Sequence, residues 1–339
     1  MPRIGTAIVC AVGAIVATLT LDGFNLLLLT RAYAWAMLAL STWFLLRVSG
    51  RASLGNAAFQ GVAAYLVGIS STRWNIDNFW VTLLIAVSAA ATVGLIVGWV
   101  SSRLSGFHFL LITLAFAEML RALALRWRTL GGEDGISGVT RPSAWPLPVD
   151  LTDSRQLTWM ALALLTTAVL GLITVLRSPF GAAVYGVRDS DSRMAALGYS
   201  PAAYRAAAVV LSSVVAGLAG VVNAYAIRFV SPADFVPLVS AKALLFAVVG
   251  GAGMLGAVVV AVGLTFLEND LSGRFDRWPM VLGFVYIAIA MVGPAPVQRL
   301  RNTVVSALAH RAPERHDAEA SVPESSNAHP SEPVAKVVP

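Results

Sequence analysis

Apolar residues occur in runs of roughly membrane length along most of the chain. They extend over 4–21, 24–46, 54–71, 80–101, 107–125, 157–176, 206–228, 241–267 and 279–298. A helix needs about 20 residues to cross the hydrocarbon core, and only helices or closed barrels satisfy their backbone hydrogen bonds there. These runs lack the period-two alternation of a barrel strand. The pattern therefore predicts an all-α integral membrane protein.

One run contains a cluster of helix-breaking residues. The middle of 241–267 reads Gly250-Gly251-Ala252-Gly253-Met254-Leu255-Gly256, and Pro232 and Pro237 precede it. Such a sequence suits two half-helices that enter the membrane and return on the same side. We therefore predict about eight transmembrane helices plus one re-entrant or broken helix pair.

The arginines predict the orientation of these helices. Cytoplasmic connections of membrane proteins carry an excess of Lys and Arg. The basic connections are Arg47 and Arg51, Arg103, the stretch from Arg177 to Arg205, and Arg299 to Arg311. Placing all of them in the cytoplasm puts both termini there as well. The connections 72–79, 126–156 and 229–240 are then external.

Composition divides the chain into two parts. Residues 1–298 are predicted to form a transmembrane domain, with 177–205 as a cytoplasmic loop and 126–156 as an external loop. From Arg299 onward Pro, Ser, Glu, Ala and His dominate, so 299–339 is predicted to be a disordered cytoplasmic tail.

Overall composition narrows the class of protein further. Hydrophobic residues make up 57% of the chain and charged residues 12%, against about 45–50% and about 25% in soluble domains. The net charge of +6 is carried almost wholly by arginines, which lie in short clusters between apolar runs, and this argues against nucleic acid as a partner. Cys10 is the only cysteine, so no disulfide framework and no cysteine-based metal site is expected.

Several polar residues lie within the predicted spans. Glu118 is the deepest charge and is expected to face the interior of the bundle, with Arg121 one turn further on. Two interpretations stay open at this point, a structural ion pair and a role in a solute path. The candidate solute-path residues are Asn56, Gln60, Thr113, Glu118 and Asn223. Most polar groups of this kind form hydrogen bonds between helices.

The connection from Val187 to Pro201 predicts a short amphipathic helix. Val187, Met194 and Leu197 would share one face, and charged residues would occupy the others. Gly198 suits the end of that helix, and Ser200-Pro201 suits the start of the next span. The residues alone allow this helix either to lie on the membrane surface or to dock in a groove of a partner.

Two glycine motifs are better explained by helix packing than by nucleotide binding. Gly251 to Gly256 fits the dinucleotide-binding pattern, but the sequence around it is apolar and of membrane length. Gly94 and Gly98 form a GxxxG pair, which predicts close packing of one helix on another. No phosphate-binding loop with a Gly-Lys-Ser/Thr ending is found in the sequence, so hydrolysis of a nucleotide would have to come from another subunit.

Four ordered stretches resemble one known family, the membrane permeases of branched-chain amino acid ABC importers, a group that includes urea and short-amide permeases. The likeness covers most of 40–293. The stretches are Ser53 to Tyr65; Thr113 to Glu118 with Gly131 to Ile136; Arg177 to Gly181 through Ala195 to Gly198; and Ala216 to Pro232 followed by Gly250 to Gly253.

The resemblance implies a role for several of these segments. Residues 186–199 would be the coupling helix that seats in an ATP-binding subunit, and the loop around Gly131, Gly132 and Gly135 would receive the solute. The residues expected to carry coupling are Arg188, Asp191, Met194, Ala195, Leu197 and Gly198.

The resemblance also implies partners and a setting. They are a second homologous permease, two ATP-binding subunits and an extracytoplasmic solute-binding protein, in a bacterial plasma membrane. The chain would hold no cofactor, since ATP and Mg would be used by the partner subunits. It would move branched-chain amino acids or similar small polar solutes by alternating access.

The alternatives are an ABC sugar permease of related architecture and an ATP-independent secondary transporter. An intramembrane enzyme is disfavoured because the sequence clusters no catalytic groups at one depth.

Overall fold

A computed structural model of the chain describes residues 13–286, apart from 16, 22, 105, 128–130, 144–149, 252, 275–276, 278–279, 282 and 285. The helices are α1 (Phe24–Arg47), α2 (Asn56–Thr72), α3 (Phe79–Ser101), α4 (Phe107–Arg126), α5 (Ser154–Arg177), α6 (Pro179–Asp189), α7 (Asp191–Ala196), α8 (Pro201–Ile227), α9 (Pro237–Val249) and α10 (Met254–Arg274). Two short strands, β1 (Ile136–Ser137) and β2 (Phe229–Val230), pair antiparallel, and a 3-10 turn follows at Pro232–Phe235. The predominantly helical, membrane-type architecture is confirmed.

In the described part of the chain, six helices are long and apolar enough to cross a membrane: α1, α3, α4, α5, α8 and α10. Predicted spans at 24–46, 80–101, 107–125, 157–176 and 206–228 therefore each coincide with one of them. The predicted span 54–71 corresponds to α2, which has 17 residues. The runs 4–21 and 279–298 lie partly or mostly outside the described residues, as does the whole predicted tail 299–339. The total number of spans and the side on which the termini lie stay predictions.

Helix α8 is the centre of the bundle. It packs against α1, α2 and α3, and small residues allow the close approach. A side chain at Gly98 would come within 2.9 Å of the Ala206 carbonyl oxygen, and one at Gly217 within 2.9 Å of the Ala90 side chain. Gly220 likewise abuts the backbone of Gln60. The GxxxG pair in α3 is therefore confirmed as a helix-packing motif, since Gly94 lies against Ser213 of α8.

The glycine cluster at 250–253 breaks the chain into two helices, as expected. Gly250 ends α9 and packs against the first turn of α10, and Gly251 has a positive φ of 73°. Lys242 in α9 pairs with Glu268 in α10, so the two helices run back along each other. The two arms of this broken helix pair differ in length. α9 has 13 residues, but α10 has 21 and is long enough to span the membrane alone.

Contacts group the connections between helices at two opposite ends of the bundle. At the arginine end, which comprises 47–55, 101–104, 106 and 177–205, Arg51 donates to the carbonyl oxygens of Ser101 and Ser102. At the loop end, which comprises 72–79, 131–143 and 228–236, Ser71 bonds to Thr140 and β1 pairs with β2. The arginine pattern predicts that the basic connections lie on one side of the membrane and the other connections on the opposite side, and this grouping agrees with that separation. Assignment of the arginine end to the cytoplasm stays a prediction.

The outer surface of the bundle is apolar. Trp99 is 75% exposed, and Leu84, Leu95 and Ile96 on the same helix, α3, are also exposed. A soluble monomer rarely exposes a contiguous patch of large apolar side chains like this one. Hydrocarbon around the bundle accounts for it, because exposed leucine and tryptophan cost little free energy there.

Candidate functional site

Asn56, at the start of α2, is the hub of a buried polar network. Its Nδ2 lies 2.9 Å from Ser41 Oγ, 3.1 Å from Thr42 Oγ1 and 3.2 Å from Ser212 Oγ. Each of those hydroxyls donates to a backbone carbonyl, so its oxygen is free to accept from the amide. The residue thereby ties α1, α2 and α8 together. Asn56 is fully buried, so its first role is to hold these helices in register.

The extended connection ahead of α2 is anchored to α4. The backbone amide of Leu54 donates to Thr113 Oγ1 over 3.2 Å, and the same hydroxyl donates to the Leu110 carbonyl over 2.9 Å. A Cβ atom added at Gly55 would lie only 3.1 Å from Thr113 Cβ. Thr113 therefore positions the start of α2, and its hydroxyl is already engaged on both sides.

Gln60 and Asn223 lie deeper along the same interface. Gln60 is one turn beyond Asn56 on α2, and its backbone touches α8 at Gly220, one turn before Asn223. Both side chains are buried. Gln60 Oε1 has no hydrogen-bond partner among the described residues. Asn56 Oδ1 is likewise without a partner there, so Asn56 and Gln60 both have polar capacity left for a passing solute.

Glu118 does not face the interior of the chain, which corrects the prediction. Its side chain is 45% exposed on α4 and pairs with Arg121, one turn on, at 3.1 Å. The buried stripe of α4 consists instead of Phe109, Thr113, Ala117 and Ala124. The structure thus brings Asn56, Gln60 and Thr113 together around the start of α2, and it separates Glu118 from them.

The predicted coupling helix is two helices, not one. Ser190 is extended, with φ −162° and ψ 110°, and its hydroxyl accepts from the Arg193 amide to cap α7. Asp189 therefore ends α6, and the shared apolar face expected from one continuous helix does not form. Val187 is buried against the bundle, whereas Leu197 is 72% exposed.

The protruding part of this segment is α7 and the turn after it. Ala195 is exposed, and Met194 packs its sulfur against Gly186 of α6. Gly198 has a positive φ of 84° and ends α7, and α8 starts at Pro201, as predicted. One ion pair and one hydrogen bond to the backbone secure the segment. Asp191 pairs with Arg205 of α8, and Arg188 donates to the backbone carbonyl of Arg47.

Arg51 has a structural role that the sequence did not show. Only 5% of it is exposed, and its guanidinium lies 4.8 Å from the centre of the Phe109 ring. Burial lowers the pKa of Arg51 to about 10, and repulsion from Arg205 adds to the effect. In the sequence Arg51 is indistinguishable from the exposed arginines that mark topology.

The ion pair between Lys242 and Glu268 was also missed. The Lys242 ammonium lies 4.3 Å from the Trp35 ring centre, so the pair joins α1, α9 and α10. The sequence did carry a signal for it, since Lys242 and Glu268 are opposite charges on the two arms of a predicted helix pair. A paired charge of this kind within apolar helices fixes how the arms pack.

The glycines of the loop that is predicted to be external adopt conformations that other residues avoid. Gly131, Gly132 and Gly135 have φ values of 88°, 57° and 71°. A side chain at Gly131 would collide with the carbonyl of Gly135, and one at Gly135 with that of Val230. These glycines therefore fix the loop that rests on β2.

Comparison with known proteins gives the wider context of this arrangement. The family model described as "Branched-chain amino acid transport system / permease component" matches residues 24–292. The chain is 29% identical over 275 residues to the high-affinity branched-chain amino acid transport system permease protein LivM of Escherichia coli. It is 28% identical to LivM of Salmonella typhimurium, also over 275 residues. Both matches cover 75% of this chain and 64% of the relative's length. No solved structure matches.

Proposed function

The chain belongs to the branched-chain amino acid permease family, and from this premise we propose that it is the membrane-spanning subunit of an ABC importer. Its solutes would be branched-chain amino acids or similar small polar molecules. The observation that carries the proposal is the exposed turn of α7 and Gly198, set between two long apolar helices at the arginine end. The relatives' names support the solute class.

The energy would come from partner subunits. Two ATP-binding subunits would use ATP and Mg, and one of them would hold Leu197 in a groove. An apolar side chain that is three-quarters exposed on a protruding turn is suited to insertion into a partner. Of the two placements that the sequence left open, this exposure favours docking.

Movement of α7 would reach the solute path through its contacts. Arg188 holds α6 to the end of α1, and Asp191 holds α7 to Arg205 of α8. α8 in turn carries Ser212 into the Asn56 network and Gly220 against Gln60. A displacement of α7 therefore acts on the helices that surround Gln60. Alternating access would follow from rocking of these helices against a second permease.

The external loop would meet a solute-binding protein. Gly131, Gly132 and Gly135 hold a fixed backbone shape at the loop end, opposite α7. A bacterial plasma membrane is the setting that this set of partners requires.

Substitution of Leu197 by Asp tests the proposal. We expect leucine uptake in cells to fall at least about tenfold, because one charge in an apolar pocket costs on the order of 1.4 kcal/mol or more. The amount of protein in the membrane should not change, since the side chain is exposed. Ser192→Asp is the matched control, because it adds the same charge to an exposed position of α7 where acids suit the helix start.

Three outcomes would contradict the proposal. Normal uptake by Leu197→Asp would remove α7 as the coupling element. Uptake that persists in cells lacking the ATP-binding subunits would instead indicate a secondary transporter. Competition of leucine uptake by sugars would point to an ABC sugar permease.

A further inference from the structure

A recess of about 390 Å³ lies at the arginine end, beside the α6–α7 segment but separate from its exposed turn. Arg51, Arg188 and Arg205 contribute to its wall, together with Gly50 and Gly106. The volume is within the range of small-ligand sites, about 300–1,000 Å³. Three connections of the arginine end meet there, so segments far apart in sequence build the recess together.

The charges around the recess do not balance. Of the described residues that line it, three are arginines and none is acidic. Asp191 is the carboxylate in contact with one of them, Arg205. Arg51 donates instead to the neutral backbone carbonyls of Ser101, Ser102 and Leu104, and Arg188 donates to that of Arg47. Two guanidinium charges are thus left without an anionic partner in these contacts.

The N-terminus of α4 adds to the positive potential of the recess. Gly106 is the N-cap of α4 and lines the recess, and no side chain caps the first turn. The first amides of a 20-residue helix point outward from its N-terminus and favour an anion. Arg51 itself is fixed by three carbonyls and by the Phe109 ring, so it is preorganised to bind.

We propose that this recess binds a phosphate group, carried by the headgroup of an anionic lipid. Arginine forks match phosphate oxygens with paired hydrogen bonds, which a lysine cannot do. The recess lies at the ends of α1, α3 and α4, which is the depth at which headgroup phosphates meet a membrane protein. It is concave and small, whereas the part of this end that suits a protein partner is the convex turn of α7.

The experiment uses the full chain in neutral detergent, with any subunits that co-purify, and measures the midpoint of thermal unfolding. Phosphatidylglycerol should raise the midpoint by about 2–4 °C, because a ligand of the folded state stabilises it. Phosphatidylcholine should not raise it. Inorganic phosphate at the same concentration serves as the arm for a free anion.

The variant Arg188→Gln should lose at least half of the rise, because it removes one of the two unbalanced guanidinium groups. Arg188 lies on the rim, so this substitution leaves the buried Arg51 in place. Arg193→Gln is the matched control, an exposed arginine of α7 that does not line the recess. It should keep the full rise.

The results separate the possible sources of binding. Equal rises in the wild type, Arg188→Gln and Arg193→Gln would overturn the site, because the lipid would then bind elsewhere. A rise with inorganic phosphate as large as that with phosphatidylglycerol would overturn the lipid as the carrier. If Arg188→Gln unfolds early without any ligand, Arg188→Lys keeps the charge and should retain only part of the rise.

Discussion

Helices α8 and α4 are both apolar, yet they occupy opposite positions in the bundle. An 18-residue stretch of each has a similar mean hydropathy, 2.0 and 1.7. α8 is packed on several sides and carries Gly217 and Gly220 at its contacts, whereas α4 buries one stripe and exposes Met119 and Leu123. The size of the side chains, rather than their hydrophobicity, thus separates an inner from an outer helix. In lipid this is expected, because apolarity alone does not drive helices together.

The largest effect should come from a side chain forced into the α8 contact. Gly220→Leu would collide with the backbone of Gln60, so we expect a loss of about 3 kcal/mol or more in the free energy of unfolding. Gly171→Leu on α5 is the matched control, since nothing lies within 4 Å of the new Cβ. It should be neutral or stabilising, because leucine favours the helix over glycine. Unfolding midpoints in detergent measure both. Equal midpoints would show that small size at α8 is not what fixes the inner position.

A smaller effect is expected at the Asn56 network, which joins α8 to α1 and α2. Asn56→Leu removes the amide shared by Ser41, Thr42 and Ser212, and should cost about 1–2 kcal/mol of unfolding free energy. A double-mutant cycle with Ser212→Ala isolates the contact between α2 and α8. The double mutant should lose less unfolding free energy than the two single mutants together, since both changes remove the same interaction. Strict additivity would show that Asn56 does not couple these helices.

The smallest effect on stability should be at the outer helix. Glu118→Gln breaks a half-exposed pair one turn apart, and should change the unfolding free energy of the chain by less than about 0.5 kcal/mol. Asp270→Asn in the exposed pair with Arg274 is the matched control.

The same variants also test what α4 faces. A charged pair in the middle of an apolar span costs free energy against lipid, so its neighbour is expected to be polar or a second permease. Recovery of the second permease with the purified chain should therefore fall for Glu118→Gln and not for Asp270→Asn. Equal recovery would leave α4 as a lipid-facing helix.

Much of this architecture is readable from the residues because it depends on local pattern. Apolar runs located α1, α3, α4, α5 and α8, and the glycines at 250–253 located the break before α10. Contacts between distant segments were less accessible. Nothing near Arg51 in sequence shows that it is buried on Phe109, and nothing near Glu118 shows that its face of α4 is outer.

The break at Ser190 shows a different limit. Residues 187–197 have a helical pattern, but Ser190 and Asp191 also suit the start of a helix, and the chain uses that second possibility. Local propensity allowed both solutions. Packing of Val187 into the bundle and the contact of Asp191 with Arg205 decide between them.

The burial of α2 has a consequence for how the protein is made. Twelve of its 17 residues are buried, and Asn56 and Gln60 are among them. A segment so short and so polar partitions weakly into a bilayer by itself when it leaves the ribosome. Gly220, which completes its surroundings, is synthesised 160 residues later. We therefore expect α2 to settle late in biogenesis, so that in the interval the nascent chain depends on insertion chaperones and is open to membrane proteases.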